Sequence, residues 1–120
     1  MKIGIVGYRK FNNYSIFCES MTEIHKKFPI QDWDNIISGG ASGADTLAKK
    51  YANDNNIDFI EHPANWHKYG SPSAAYIRNQ KIVDESDMII AFIHSSSKGT
   101  WDTINRATRA DKLIKIIKVS

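Results

Sequence analysis

Apolar positions along the chain fall into two alternating rhythms. Short runs that are apolar on both sides occur at Ile3 to Val6, residues 35–38, Ile57 to Glu61, Met88 to Ile93 and Leu113 to Val119. Such runs predict buried strands. Between them, apolar residues recur at three- and four-residue spacing, the mark of helices with one buried face. The first helix opens behind the turn and cap residues Asn12, Asn13 and Ser15. It carries Ile16, Phe17, Met21, Ile24 and Phe28 in one stripe until Pro29 stops it. A second is predicted from Ala44 to about Asn55 with Leu47, Ala48, Tyr51 and Ala52 inward, ahead of the turn cluster Asn53-Asp54-Asn55-Asn56. A third spans about Ser73 to Glu85 and carries Ala75, Ile77, Ile82 and Val83; a fourth runs from Thr100 to about Ala110. This alternation predicts an α/β fold: a three-layer sandwich around a mostly parallel five-stranded sheet, one domain over residues 1–120.

The residues that break the pattern follow strands. Gly7, Tyr8 and Arg9 come after the first, Ser38-Gly39-Gly40-Ala41-Ser42-Gly43-Ala44-Asp45 at the end of the second, and Lys98, Gly99 and Thr100 after the fourth. In a parallel sheet these loops share one edge, where ligands of open α/β sheets bind. Gly39, Gly40 and Gly43 let the backbone turn tightly and approach another molecule. The helix behind them starts with unpaired N–H groups and the positive end of its dipole, a setting for phosphate. Arg9 offers a two-pronged hydrogen bond to an anion, or is a surface arginine. Thr100 caps a helix, gives a ligand its hydroxyl, or both. Asp45 holds a ribose hydroxyl or complements the helix dipole. Trp101 stacks on a base or, more in keeping with its type, packs in the core. Arg78-Asn79 lies too deep in its helix for capping and reads as a ligand pair or a solvated one. The stretch from His62 to Ser73 is long for a strand-to-helix connection and holds Trp66 and Tyr69, which points to a functional loop.

Composition narrows the field. The chain has 120 residues, a net charge of +3 and a single cysteine. The basic excess is scattered, with no run interleaved with aromatics, so an anionic small molecule suits it better than nucleic acid. Cys18 alone excludes an intrachain disulfide and a cysteine-rich metal site, and reads as a packing residue. His62 and His67 lack a partner at ligand spacing, so no metal and no cofactor are expected. No apolar run reaches the roughly 20 residues of a membrane span. With no signal-peptide pattern at the N-terminus, a cytoplasmic location is the default.

The motifs Gly7-Tyr8-Arg9, Ile37-Ser38-Gly39-Gly40-Ala41-Ser42-Gly43-Ala44-Asp45, Pro63-Ala64-Asn65-Trp66-His67-Lys68-Tyr69-Gly70, Arg78-Asn79 and Ser97-Lys98-Gly99-Thr100 occur in that order. The chain, over roughly residues 3 to 117, resembles the YspA-like branch of the SLOG superfamily, small Rossmann-like proteins common in bacteria and phages. Relatives include the lonely-guy phosphoribohydrolases, the DNA-processing protein A and sensor domains of antiviral defence systems. The resemblance implies a nucleotide or nucleotide-derived signal bound at the glycine-rich loop. Gly39, Gly40, Gly43 and Thr100 would hold phosphate, and Arg9 and Arg78 would neutralise it. Asp45 would orient a ribose, and Trp66, Tyr69 or Trp101 would flank a base. Gly7, Ser38, Ser42, Asn79, Lys98 and Gly99 complete the implied site. It also implies a homodimer or higher homo-oligomer and, in a phage setting, an anti-defence protein that sequesters a host signal.

Two departures bear on activity. Ser42 stands where the family usually has an arginine. The phosphoribohydrolases carry a catalytic glutamate three residues after the threonine of their Gly-Thr motif, where this chain has Thr103. Asp102 precedes that place by one residue, about 100° around a helix. The arginine usually paired with that glutamate matches Arg78. Binding without cleavage is therefore the leading expectation. A nucleotide N-glycosidase using Asp102 or Asp45 is the alternative, and single-stranded nucleic-acid binding stands behind both.

Overall fold

A computed structural model describes residues 1–95 and 97–119, with the side chains of all of these but Lys98 and Ile114. Ser96, in the loop after the fourth strand, and the Lys98 side chain of the implied site lie outside the described residues. Five strands alternate with helices: β1 (Lys2–Gly7), α1 (Tyr14–His25), β2 (Asn35–Ser38), α2 (Ala44–Asp54), β3 (Asp58–Glu61), α3 (Trp66–Tyr69), α4 (Ser73–Glu85), β4 (Met88–Ile93), α5 (Lys98–Arg109) and β5 (Leu113–Lys118). The sheet runs in the order β3-β2-β1-β4-β5 with every pairing parallel, a Rossmann-like arrangement. Strand order reverses between β1 and β4. Their carboxyl ends are tied where the Tyr8 amide donates to the Phe92 carbonyl at 2.9 Å.

Both faces of the sheet are covered, which is why its strands read as continuous apolar runs. On one face Phe17, Met21 and Ile24 of α1 and Leu47, Ala48 and Tyr51 of α2 pack on Ile3, Ile5, Ile36 and Phe92. The Phe17 and Phe92 rings stack at 4.9 Å between centroids. On the other face Ile82 and Val83 of α4 and Ile104 and Ala107 of α5 cover Ile37, Ile89, Ala91 and Ile93. Among the described residues no helix is long and apolar enough to cross a membrane.

Several expectations need correcting. Trp101 is 43% exposed, so it is not a core tryptophan, and Ile16 and Ile77 point outward from otherwise buried stripes. Helix α1 ends at His25, before Phe28, and the segment of Ile30 to Asp32 forms a short 3-10 turn. The loop between β3 and α4 contains the one-turn helix α3, capped by the Asn65 side chain accepting from the Lys68 amide at 3.1 Å. Helix α5 starts at Lys98, two residues earlier than the pattern placed it, so Thr100 lies in its first turn and Ser97 is the residue at its start.

The β1 loop and the start of α2 are locked together. The Tyr8 carbonyl accepts from the Ala44 amide at 3.1 Å and from the Phe11 amide at 3.2 Å. Gly43, at φ +77°, sits so close that a Cβ there would collide with the backbone oxygens of Tyr8 and Arg9. Those are backbone atoms and cannot swing aside. Gly43→Ala is expected to lower the stability to urea unfolding by roughly 1–3 kcal/mol, the cost of one forced backbone conformation; an unchanged midpoint would show that the loop pair is looser than this packing.

Candidate functional site

At the carboxyl edge of the sheet the loops after β1, β2 and β4 meet α4 and α5. They enclose a cleft of ≈ 400 Å³ lined by Gly7, Arg9, Gly39, Asp45, Arg78 and Thr100, among others. A second cleft of ≈ 290 Å³ lies on the α3 side of the glycine loop, against Gly40, Ser42, Pro63, Ala64 and Trp66. Arg9, Gly39, Ala41 and Arg78 line both.

Two side chains shape the glycine loop. The Asp45 carboxylate, only 6% exposed, accepts the Gly39 amide at 3.2 Å and the Ala41 amide at 3.1 Å through Oδ2. Arg78 reaches from α4 and donates Nη1 to the Gly39 carbonyl at 3.0 Å. Both side chains converge on Gly39, where a Cβ would come within 2.5 Å of Arg78 Nη1 and 3.1 Å of Asp45 Oδ2. Part of the amide set that the sequence offers to a phosphate is thus already engaged by the protein's own carboxylate. The Ala44 amide is likewise held by Tyr8. Helix α5 differs. Among the described residues nothing accepts a hydrogen bond from the Gly99 and Thr100 amides, and no side chain caps the helix. Ser97, Gly99, Thr100 and the buried Thr103 all line the first cleft. The start of α5 thus presents its positive end to that cleft with no cap among the described residues.

Burial dominates the electrostatics. It pushes the Asp45 carboxyl above its ordinary value, with the Ala41 amide and the Arg78 charge among the groups acting against it. Burial also pulls the Arg78 guanidinium below its ordinary value; the Asp45 charge resists this, while the neighbouring Arg9 charge adds to it. Arg9 itself is exposed and donates no side-chain hydrogen bond and enters no ion pair among the described residues. Two guanidiniums thus repel one another across the wall between the clefts, and one buried carboxylate, already bonded to backbone, offsets them.

Arg78 is aimed by a relay between the two helices. Its Nε donates to Asn79 Oδ1 at 2.9 Å, and Asn79 Nδ2 donates to Asp102 Oδ2 at 3.0 Å. Asp102 also accepts Arg106 Nε at 2.9 Å, and Arg106 Nη1 donates to Gln80 Oε1 at 2.8 Å. Arg78-Asn79 is therefore no solvated pair: Asn79 is 6% exposed. Asp102 lines neither cleft and acts as a clamp between α4 and α5.

Of the residues singled out from the sequence, Gly7, Arg9, Gly39, Asp45, Arg78, Asn79, Gly99 and Thr100 line the first cleft. Gly40, Ser42 and Trp66 line the second. The Ser42 hydroxyl, in the arginine position, donates to the Arg9 carbonyl at 3.2 Å. Ser38 is buried, donating to the Ile5 carbonyl at 2.7 Å, and lines neither cleft. Gly43 forms the α2 start behind the loop; Tyr69 lies outside both clefts under the Lys68 ammonium, 5.2 Å from its ring centre. Trp101 lines neither. The sequence pointed to Tyr8 only as part of its loop and to Ala75 and Ile82 only as helix stripe residues, and it passed over Lys10; all four line the first cleft. The i, i+3, i+4 relation of Ala75, Arg78, Asn79 and Ile82 on one helix face was the available signal.

The sequence model of YAcAr, the YspA, cpYpsA-related SLOG family, matches residues 1–69. The chain belongs to that family. No curated protein and no solved structure matches it significantly. The matched SLOG segment holds the first three strands, the glycine loop and Trp66, whereas Arg78 and the α5 start lie beyond it. Membership implies a nucleotide-related ligand.

The raised Asp45 carboxyl has a defined sign in stability. The folded protein holds this proton more tightly than the unfolded chain does, so stability associated with it declines as pH rises from about 3.8 through the raised native range. Relative to Asp45→Asn, the wild type is expected to lose stability toward neutral pH, by at most about 1.4 kcal/mol per pH unit. Urea unfolding across that range reads this difference, and an opposite slope would mean that hydrogen bonding outweighs burial.

Proposed function

We propose that this SLOG protein binds a nucleotide or nucleotide-derived molecule in the crevice at the carboxyl edge of its sheet and releases it uncleaved. The observation that carries this reading is the pair of guanidiniums, Arg9 and Arg78, faced by the single buried carboxylate of Asp45, beside the uncapped start of α5. An anion there relieves the repulsion between the arginines and accepts from amides that lack partners among the described residues. Family membership supplies the class of anion.

The absence of cleavage rests on where the carboxylates are. N-glycosidic hydrolysis needs a carboxylate free to move a proton at the ligand. Thr103 occupies the place of the catalytic glutamate of the phosphoribohydrolases and offers only a hydroxyl. Asp102 lines neither cleft and its Oδ2 accepts from Asn79 and Arg106, and Asp45 Oδ2 is taken by the Gly39 and Ala41 amides. A protein of this kind acts by holding its ligand or by presenting the occupied crevice to a partner.

Mass spectrometry of small molecules released on denaturing the purified protein, with a calorimetric nucleotide panel, tests the reading. Arg9→Ala removes a guanidinium that makes no side-chain hydrogen bond or ion pair among the described residues, so it tests binding rather than folding. The best nucleotide is expected to bind roughly tenfold to a hundredfold more weakly to that variant. Equal affinity would remove Arg9 from the site, and free base accumulating during incubation would restore the enzyme.

A further inference from the structure

The two clefts are not independent. Arg9, Gly39, Ala41 and Arg78 form one wall with a cleft on either side of it. The smaller cleft, at ≈ 290 Å³, lies at the low end of the roughly 300–1,000 Å³ typical of small-molecule sites. It therefore serves better as an annex to its neighbour than as a separate site. The positive charge sits on the shared wall, where Arg9 has no partner among the described residues and lies close enough to Arg78 to add to the effect of burial on that guanidinium. An anion that satisfies both arginines sits at the junction of the clefts, not at the end of one of them.

The annex has the chemistry of a base platform. Trp66 is 48% exposed and its indole contacts no other ring or cation among the described residues. It shares its cleft with Pro63 and Ala64, which present apolar surface, and with Ser42, which presents a hydroxyl. An exposed tryptophan in a concave, weakly polar setting beside cations suits a stacked heteroaromatic ring. The larger cleft supplies a different surface for a second group: Ala75 and Ile82 at its apolar side, Thr100 and Thr103 at its polar side.

Building on the nucleotide-binding reading, we propose that the two clefts form a single bipartite site for a dinucleotide-type ligand. Its phosphodiester or pyrophosphate lies on the Arg9–Arg78 wall, one base stacks on Trp66, and the second nucleoside occupies the cleft bounded by α4 and α5. A mononucleotide fills one side only and leaves the other to water. Joining two weak lobes through the shared anion raises affinity because the second lobe binds intramolecularly.

Calorimetric titration of wild type and Trp66→Ala with dinucleoside pyrophosphates, dinucleoside phosphodiesters and their constituent nucleoside monophosphates tests this. In wild type the best dinucleotide is expected to bind at least about tenfold tighter than either mononucleotide it contains, the order of one base stacked on an aromatic ring. In Trp66→Ala, whose thermal midpoint reports that the exposed site still folds, that advantage is expected to collapse. Mononucleotides binding as tightly as dinucleotides would overturn the bipartite site and leave nucleotide binding standing. A dinucleotide advantage that survives in Trp66→Ala would also overturn it, because the second lobe would then lie elsewhere. Failure of every nucleotide to bind would overturn both readings.

Discussion

The crevice depends on one buried carboxylate. Asp45 sits at the start of α2 and turns back to accept two amides of the loop that leads into its own helix. That closes the glycine loop on itself and fixes the Gly39 carbonyl where Arg78 can reach it. Without this acceptor the loop would leave buried amides unpaired, each at a cost of about 1–3 kcal/mol. The burial that lifts the Asp45 carboxyl above its ordinary range is the strain side of the same arrangement. It follows that the one carboxylate lining the first cleft is spent on architecture, and the surplus of charge along the two clefts is positive.

The sheet was legible because burial on both faces writes itself into continuous apolar runs, and β2 and β4 begin and end where the runs do. Helix α4 likewise spans its predicted residues. The start of α5 was not legible, because Lys98 and Gly99 carry no apolar period and Ser97 uses its hydroxyl to accept the His94 amide rather than to cap. Trp101 misled for a related reason: a tryptophan's size argues for burial, but its place on α5 faces outward.

Within the site, the sequence brought the right loops to one edge but could not say which bonds they make. Asp45 clamps the loop at short sequence range, yet its bonds to the Gly39 and Ala41 amides depend on how the glycines fold. Arg78 meets Gly39 across 39 positions and Asn79 meets Asp102 across 23, distances over which periodicity carries no information. The division of the crevice into two clefts also escaped, since it arises from Arg9 and Arg78 crossing its middle.

The two arginines differ in how much freedom they have left to lose. Arg78 is bonded on two of its nitrogens before any ligand arrives, so most of the rotamer entropy of an arginine, about 2 kcal/mol, has already been surrendered in folding. Among the described residues no bond holds the exposed Arg9 side chain in the same way. A guanidinium presents five N–H donors, and Arg78 has spent only two bonds, leaving donors in a fixed frame. One arginine therefore behaves as a template that rewards a fixed anion geometry, while the other adapts. In the proposed site, selectivity among ligands would be set by the frozen arginine and tolerance of their variation by Arg9.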